Sequence, residues 1–169
     1  MDVVAHISHL DPADFEIAAR AKELASGLME RAGVQLRWSQ PQPGCENIEI
    51  QMDPDAPSGF QRESLAYALP FAKGPGPRIH IFRDRLPDGR GIQPHVLLAY
   101  VIVHEIVHVL DGMNRHSEGG VMKARWDYAD YLAMGHRTLT FSAEDLYWIR
   151  EHFHSTQLNS ARGATAPHH

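Results

Sequence analysis

HEIVHVLDGMNRHSEGGVM, running from His104 to Met122, is the stretch on which the reading of this chain turns. It begins His-Glu-x-x-His inside an apolar run. Residues four apart share one face of a helix, so His104 and His108 can each turn a ring nitrogen toward a single metal ion, zinc above all. Glu105, one residue past the first of them, is placed to take a proton from water at that ion. Two imidazoles leave zinc under-coordinated, and no third residue of the same helix can reach round it. Gly112 permits the chain to turn back, and Met113, Asn114 and Arg115 then give about 10 Å of extended reach. His116 is therefore the expected third ligand. A helix that carries two histidines by accident is the plain alternative. The long apolar run and the further histidine argue against it, and the expected chemistry is zinc-assisted hydrolysis, of peptide bonds first.

The helix that carries the motif opens at Pro94 and is apolar almost all round from Val96 to Leu110. Such a helix belongs in a core, where its polar positions must be satisfied. Upstream, Val3–Ile7, Val34–Trp38, Asn47–Met52, Ser64–Leu69 and Arg78–Phe82 read as strands. Asp11-Pro12 opens a helix whose apolar face is Ala18, Ala21, Leu24, Ala25, Leu28 and Met29, and Gly33 closes it. His80 alternates with Ile79 and Ile81 and reads as a surface or cross-strand residue. Loops are expected at QPQPGCEN, Asp53–Phe60, PFAKGPGP and Asp84–Gln93. Lys123–Thr140 shows no clear periodicity. A last helix starts at Ser142, with Ser142 and Asp145 as a capping-box-like pair, Phe141 and Leu146 as a hydrophobic staple, and Leu146, Ile149 and Phe153 as its apolar face.

The chain has 169 residues, 43% of them hydrophobic, enough for one domain with one core. A domain over 1–154 and a disordered tail over 155–169 are expected, with no internal repeat. The net charge of −5 offers no footprint for nucleic acid or an anionic membrane. Cys45 is the single cysteine, which excludes an intramolecular disulfide and a cysteine-based zinc site. Its place in a Pro-Gly turn argues against a catalytic thiol. No signal peptide or membrane-spanning run is evident, so a cytosolic protein and a processed exported one both remain open, and a monomer is favoured.

The zinc motif and the order strand, helix, strands, helix, turn, helix resemble the metzincin metalloproteases, the matrixins most of all. His116-Ser117 and Gly120-Val121-Met122 are similar to the matrixin segment leading to the Met-turn, with Met122 as its methionine. Leu65–Pro70 and Arg78–Phe82 resemble the matrixin edge strand and the strand before the active-site helix. The spacing departs from the matrixin pattern, because two extra residues lie between His108 and His116. That longer spacing, the HSxxGxM of His116–Met122, Gly33 to Trp38 and Phe141 to Glu144 are similar to a bacterial group of matrixin-like proteins expected to be exported.

The resemblance implies an α+β domain: an N-terminal twisted mixed sheet with a backing helix, a buried active-site helix, a Met-turn and a C-terminal helix. It implies one catalytic zinc on His104, His108 and His116, with Glu105 as general base and a peptide or protein substrate. Met122 would lie beneath the site, and substrate would lie along Leu65, Ala66 and Tyr67. Tyr128 and Tyr131 would wall the pocket or be ordinary core. The matrixin residues for structural zinc and calcium are mostly missing, and His80 stands where one would be, without evident companions.

Other arrangements stay open. Glu144, or Asp127 or Asp130, could supply a carboxylate third ligand, as in gluzincins or aspzincin-like sites. Asp111 shares a helix face with His104 and His108 and suits support of a ligand better than ligation. A zinc-binding module without catalysis would have no need of Glu105, and a structural domain without metal is the remaining alternative.

Overall fold

A computed structural model describes residues 2–42, 46–61, 64–69, 76–86, 91–112 and 115–151. Cys45, Pro70, the Pro87–Gly89 turn, Met113, Asn114, Phe153 and the tail expected from 155 lie outside the described residues. Five strands, β1 (Asp2–Ser8), β2 (Gln35–Trp38), β3 (Glu46–Asp53), β4 (Ala66–Leu69) and β5 (Arg78–Phe82), form one mixed sheet in the order β2-β1-β3-β5-β4. β1 pairs in parallel with β2 and β3, β3 with β5, and only β4 runs antiparallel, against β5. β2 and β3 thus flank β1 rather than each other.

Period-two alternation gives the sheet two unlike faces. Ile48, Ile50, Met52, Ile79 and Ile81 are buried, and Ile50 aligns with Ile79 and Ile79 with Ala68 across three strands. On the other face lie Ser8, Glu49, Gln51 and His80. α1 (Phe15–Arg31) is the crossover from β1 to β2 and buries Ala18, Ala21, Ala25, Leu28 and Met29, as its spacing requires. Its entrance is a 3-10 turn, Pro12–Asp14, capped by the Asp11 side chain accepting from the Ala13 amide. Gly33, at φ 83°, releases the chain into β2.

α2 (Pro94–Asp111) packs on α1 and against β4 and β5. Every residue from Val96 to Leu110 is buried, so the apolar run does form a core helix, and Gly112 ends it in the left-handed conformation at φ 63°. Fully burying one such aliphatic side chain contributes about 1.5–3 kcal/mol. That apolar circumference holds the helix in place while it carries His104, Glu105 and His108. By length and composition α2 could cross a membrane, but 83% of it is buried inside the fold.

The stretch without clear periodicity holds a helix, α3 (Tyr128–Gly135), barely two turns long. Its start is a capping box: the Asp127 carboxylate accepts from the Ala129 and Asp130 amides, and Asp130 accepts from the Asp127 amide. Two turns are too few for a periodic pattern, and the Asp-x-x-Asp spacing was the readable sign. The loop expected over Asp84–Gln93 opens instead as a 3-10 turn, Arg83–Arg85. The last helix, α4, is described over residues 143–151. Ser142 and Asp145 cap it reciprocally, at 2.9 and 3.1 Å, as their spacing predicts.

Candidate metal centre

α2 and the turn after it bring His104, His108 and His116 together, with one nitrogen of each within 4.8 Å of the others. The His104 and His108 rings meet edge to face with centroids 4.6 Å apart, and the His116 ring lies 5.3 and 4.8 Å from theirs. His104 Nδ1 lies 2.8 Å from the Val121 carbonyl oxygen. A carbonyl only accepts, so Nδ1 carries the proton and Nε2 keeps its lone pair. That Nε2 stands 2.9 Å from His108 Nε2. Two nitrogens bound tetrahedrally to one zinc at about 2.0–2.1 Å would be separated by about 3.3 Å. The donor set therefore fits a single metal ion with modest adjustment.

Burial suits ligands that must be neutral. The His104 imidazole is pushed down to about 3, by desolvation first and by His108 second. His116 is more open, and burial lowers it too. Glu105 is only 8% exposed, and burial pushes its carboxyl up to about 8. Among the described residues no hydrogen bond or ion pair reaches that carboxylate.

The loop beneath the cluster is held by backbone contacts. Ser117 N donates to the Met122 carbonyl at 2.9 Å, Lys123 N to Gly120 at 3.2 Å and Val121 N to Thr140 at 3.1 Å. Gly120 has φ 80°, and a Cβ there would lie 2.5 Å from the Thr140 oxygen, so this turn requires glycine. Met122 is packed into the core directly after the carbonyl that holds His104. Trp126 completes the wall: its ring meets His104 edge to face at 5.4 Å, and its Nε1 donates to the Gly120 carbonyl at 3.3 Å.

The aromatic residue against the cluster is thus Trp126. Tyr128 points largely to solvent at 71% exposure, and Tyr131 is half-buried against the core. Neither tyrosine is in ring contact with the histidines among the described residues. The carboxylates considered as third ligands are engaged elsewhere. Asp127 and Asp130 pair with Lys123 at 2.5 and 2.6 Å, and Glu144 with Arg115 at 3.4 Å. Asp111 also bonds Arg115, at 3.3 Å, rather than ligating.

β4 is one edge of the sheet, with β2 the other, and it begins at Ala66. Leu65 sits just ahead of it, its carbonyl accepting from Phe82 N at 2.9 Å. His80 does have companions: Asp53 Oδ2 at 2.8 Å and the stacked ring of Tyr67 at 4.7 Å. A cavity of about 340 Å³ lies elsewhere, between Ile17, Met52, Leu86 and Leu98. Its polar rim includes Asp14 and Arg83, already joined at 2.6 Å, so it offers no reactive group. No known protein-family model and no curated protein matches this chain.

Proposed function

We propose that this protein is a zinc-dependent endopeptidase of metzincin-like design. The observation that carries the reading is a three-histidine cluster beside a buried carboxylate with no partner among the described residues, all seated on one core helix and the turn that follows it. Three neutral imidazoles suit zinc, and a three-protein-ligand set leaves a coordination position for water or substrate, as catalytic sites need. Bound there, a zinc ion supplies Lewis acidity, making water acidic enough to attack near neutral pH and polarising a carbonyl.

The chain's own residues do the remaining work. Glu105 takes a proton from the attacking water on a carboxylate oxygen and returns it to the leaving amine. The Val121 carbonyl holds the His104 tautomer, and the Trp126 ring restrains its tilt. β4 offers backbone N–H and C=O groups at the sheet edge, where an extended peptide can add as a further strand. A carboxylate third ligand draws no support, since each candidate is paired with a cation.

The test pairs zinc quantification on the purified protein with cleavage of a random peptide library. The expected result is one zinc per chain and endoproteolysis, with Glu105→Gln keeping the metal and losing at least about a hundredfold in turnover. A Glu105→Gln protein that cleaved at the wild-type rate, or a wild-type protein without stoichiometric zinc, would overturn the reading.

A further inference from the structure

The link from the second histidine to the third is two residues longer than in the matrixin pattern, and the residue just ahead of the third histidine is tied to two helices. We propose that Arg115 is the positioning residue of the metal centre, a clasp that fixes the His116 backbone against α2 and α4. The inference rests on the reading of the three histidines as metal ligands.

Asp111 is the last residue of α2, and its side chain is only 4% exposed. A carboxylate at the negative end of a helix, and nearly buried, is unfavourable on both counts unless a cation meets it. Arg115 meets it, with Nη2 3.3 Å from Asp111 Oδ2. The other arm of the same guanidinium, Nη1, lies 3.4 Å from Glu144 Oε1 on α4. Its plane stands over the Trp148 ring, 5.3 Å from the centroid. A planar fork can reach both carboxylates and an aromatic face at once, which a lysine ammonium cannot.

The residue on the far side of His116 is tied to the same helix. Ser117 Oγ donates to Asp145, which is fully buried, and the other Asp145 oxygen accepts from the Ser142 amide at 2.9 Å. His116 is itself exposed, so little packing around its ring selects the ligating position. Its two neighbours, anchored on Asp111, Glu144, Trp148 and Asp145, fix its backbone before any ion arrives. Ordering of the ligand is then already complete when the metal binds.

The full chain, its Arg115→Ala and Arg115→Lys variants and His116→Ala are titrated with zinc against a competing chelator. Each is also melted in EDTA and loaded with cobalt(II) for visible absorption. Arg115→Ala should bind zinc about 10–100-fold more weakly, the range for residues that orient metal ligands. Its metal-free melting point should fall by about 6–20 °C, because the nearly buried Asp111 loses this cation. Its cobalt spectrum should change in position or intensity, which a loss of stability alone does not produce. Arg115→Lys should fall between the two.

Wild-type affinity and cobalt spectrum in Arg115→Ala, with zinc lost in His116→Ala, would overturn the clasp and leave the metal centre standing. Undiminished zinc affinity in His116→Ala would overturn the metal centre, and the clasp with it. Should Arg115→Ala fold poorly, Arg115→Lys decides: several-fold weaker zinc supports the clasp, and wild-type affinity with an unchanged spectrum rejects it.

Discussion

Gly119 and Gly120 are neighbours in the loop beneath the metal centre, yet adding one methyl group to each should have very different effects. At Gly119 a Cβ would meet nothing within 4 Å, whereas at Gly120 it would stand 2.5 Å from the Thr140 carbonyl oxygen, on a backbone held at φ 80°. The left-handed conformation alone costs a residue with a Cβ about 1–2 kcal/mol. The Thr140 oxygen is backbone, so relief must come from separating the two strands of the loop. That separation sacrifices the 3.1 Å bond from Val121 N to Thr140, worth about 0.5–1.5 kcal/mol. Gly120→Ala should therefore destabilise by about 1.5–3.5 kcal/mol, or about 3–14 °C in melting temperature for a domain of this size. Gly119→Ala should change stability by no more than about 0.5 kcal/mol. The displaced residue is Val121, whose carbonyl holds His104 Nδ1 at 2.8 Å, so zinc affinity should fall about 10–100-fold in Gly120→Ala only. Thermal melts with and without EDTA, together with chelator competition, give both numbers. If the two alanine variants melted within a degree or two of each other and bound zinc equally, the account of this turn would be wrong.

In the metal-free protein, burial raises Glu105 from 4.5 to about 8, so the folded state keeps a proton that the unfolded chain releases across that window. Stability must then fall as pH rises from about 4.5 to about 8. Glu105→Gln should be the more stable protein at pH 8, by on the order of a few kcal/mol, with the gain gone by about pH 4.5. Urea unfolding in chelator checks this, and parallel pH profiles for the two proteins would refute it. Asp127→Ala, Asp130→Ala and Glu144→Ala should each retain one zinc by metal analysis, the first losing some stability with its helix cap. Tyr100 is fully buried and its hydroxyl donates to the Leu139 carbonyl at 3.1 Å. Tyr100→Phe leaves that oxygen without its partner and should cost about 1–2 kcal/mol in denaturant unfolding, with zinc affinity unchanged.

What could be read from the sequence was local. α1 and α2 declare themselves because each is long enough for its burial pattern to repeat, and the Ser142–Asp145 cap because both partners lie within one turn. The histidine cluster was legible for a related reason: two of its histidines share a helix face and the third follows a glycine. The parallel pairing of β1 with both β2 and β3 left no such mark, since register between distant strands is a property of the assembled sheet. Asp53 and His80 meet across 27 positions for the same reason. The support of His104 by Val121 is carried by a backbone carbonyl, which any residue type would supply, so no side chain announces it. Trp126 was visible as an aromatic residue, but its contact with His104 depends on how the loop closes.

The all-round apolar surface of α2 has a consequence during synthesis. Until α1 and the sheet are in place to cover it, the segment is long and apolar enough to be taken for a membrane span. Of the elements packed on it, α1, β4 and β5 precede it in the chain, and α3 follows. The ribosome therefore releases α1 and the sheet before the hazardous helix. Glu105 acts in the same direction, because a carboxylate in a bilayer-spanning helix is penalised by about 2.5–3.5 kcal/mol at its centre. A circular permutation that moved α2 to the front of the chain would keep every contact of the finished fold. It would also expose the newborn protein to insertion and aggregation that the natural order avoids.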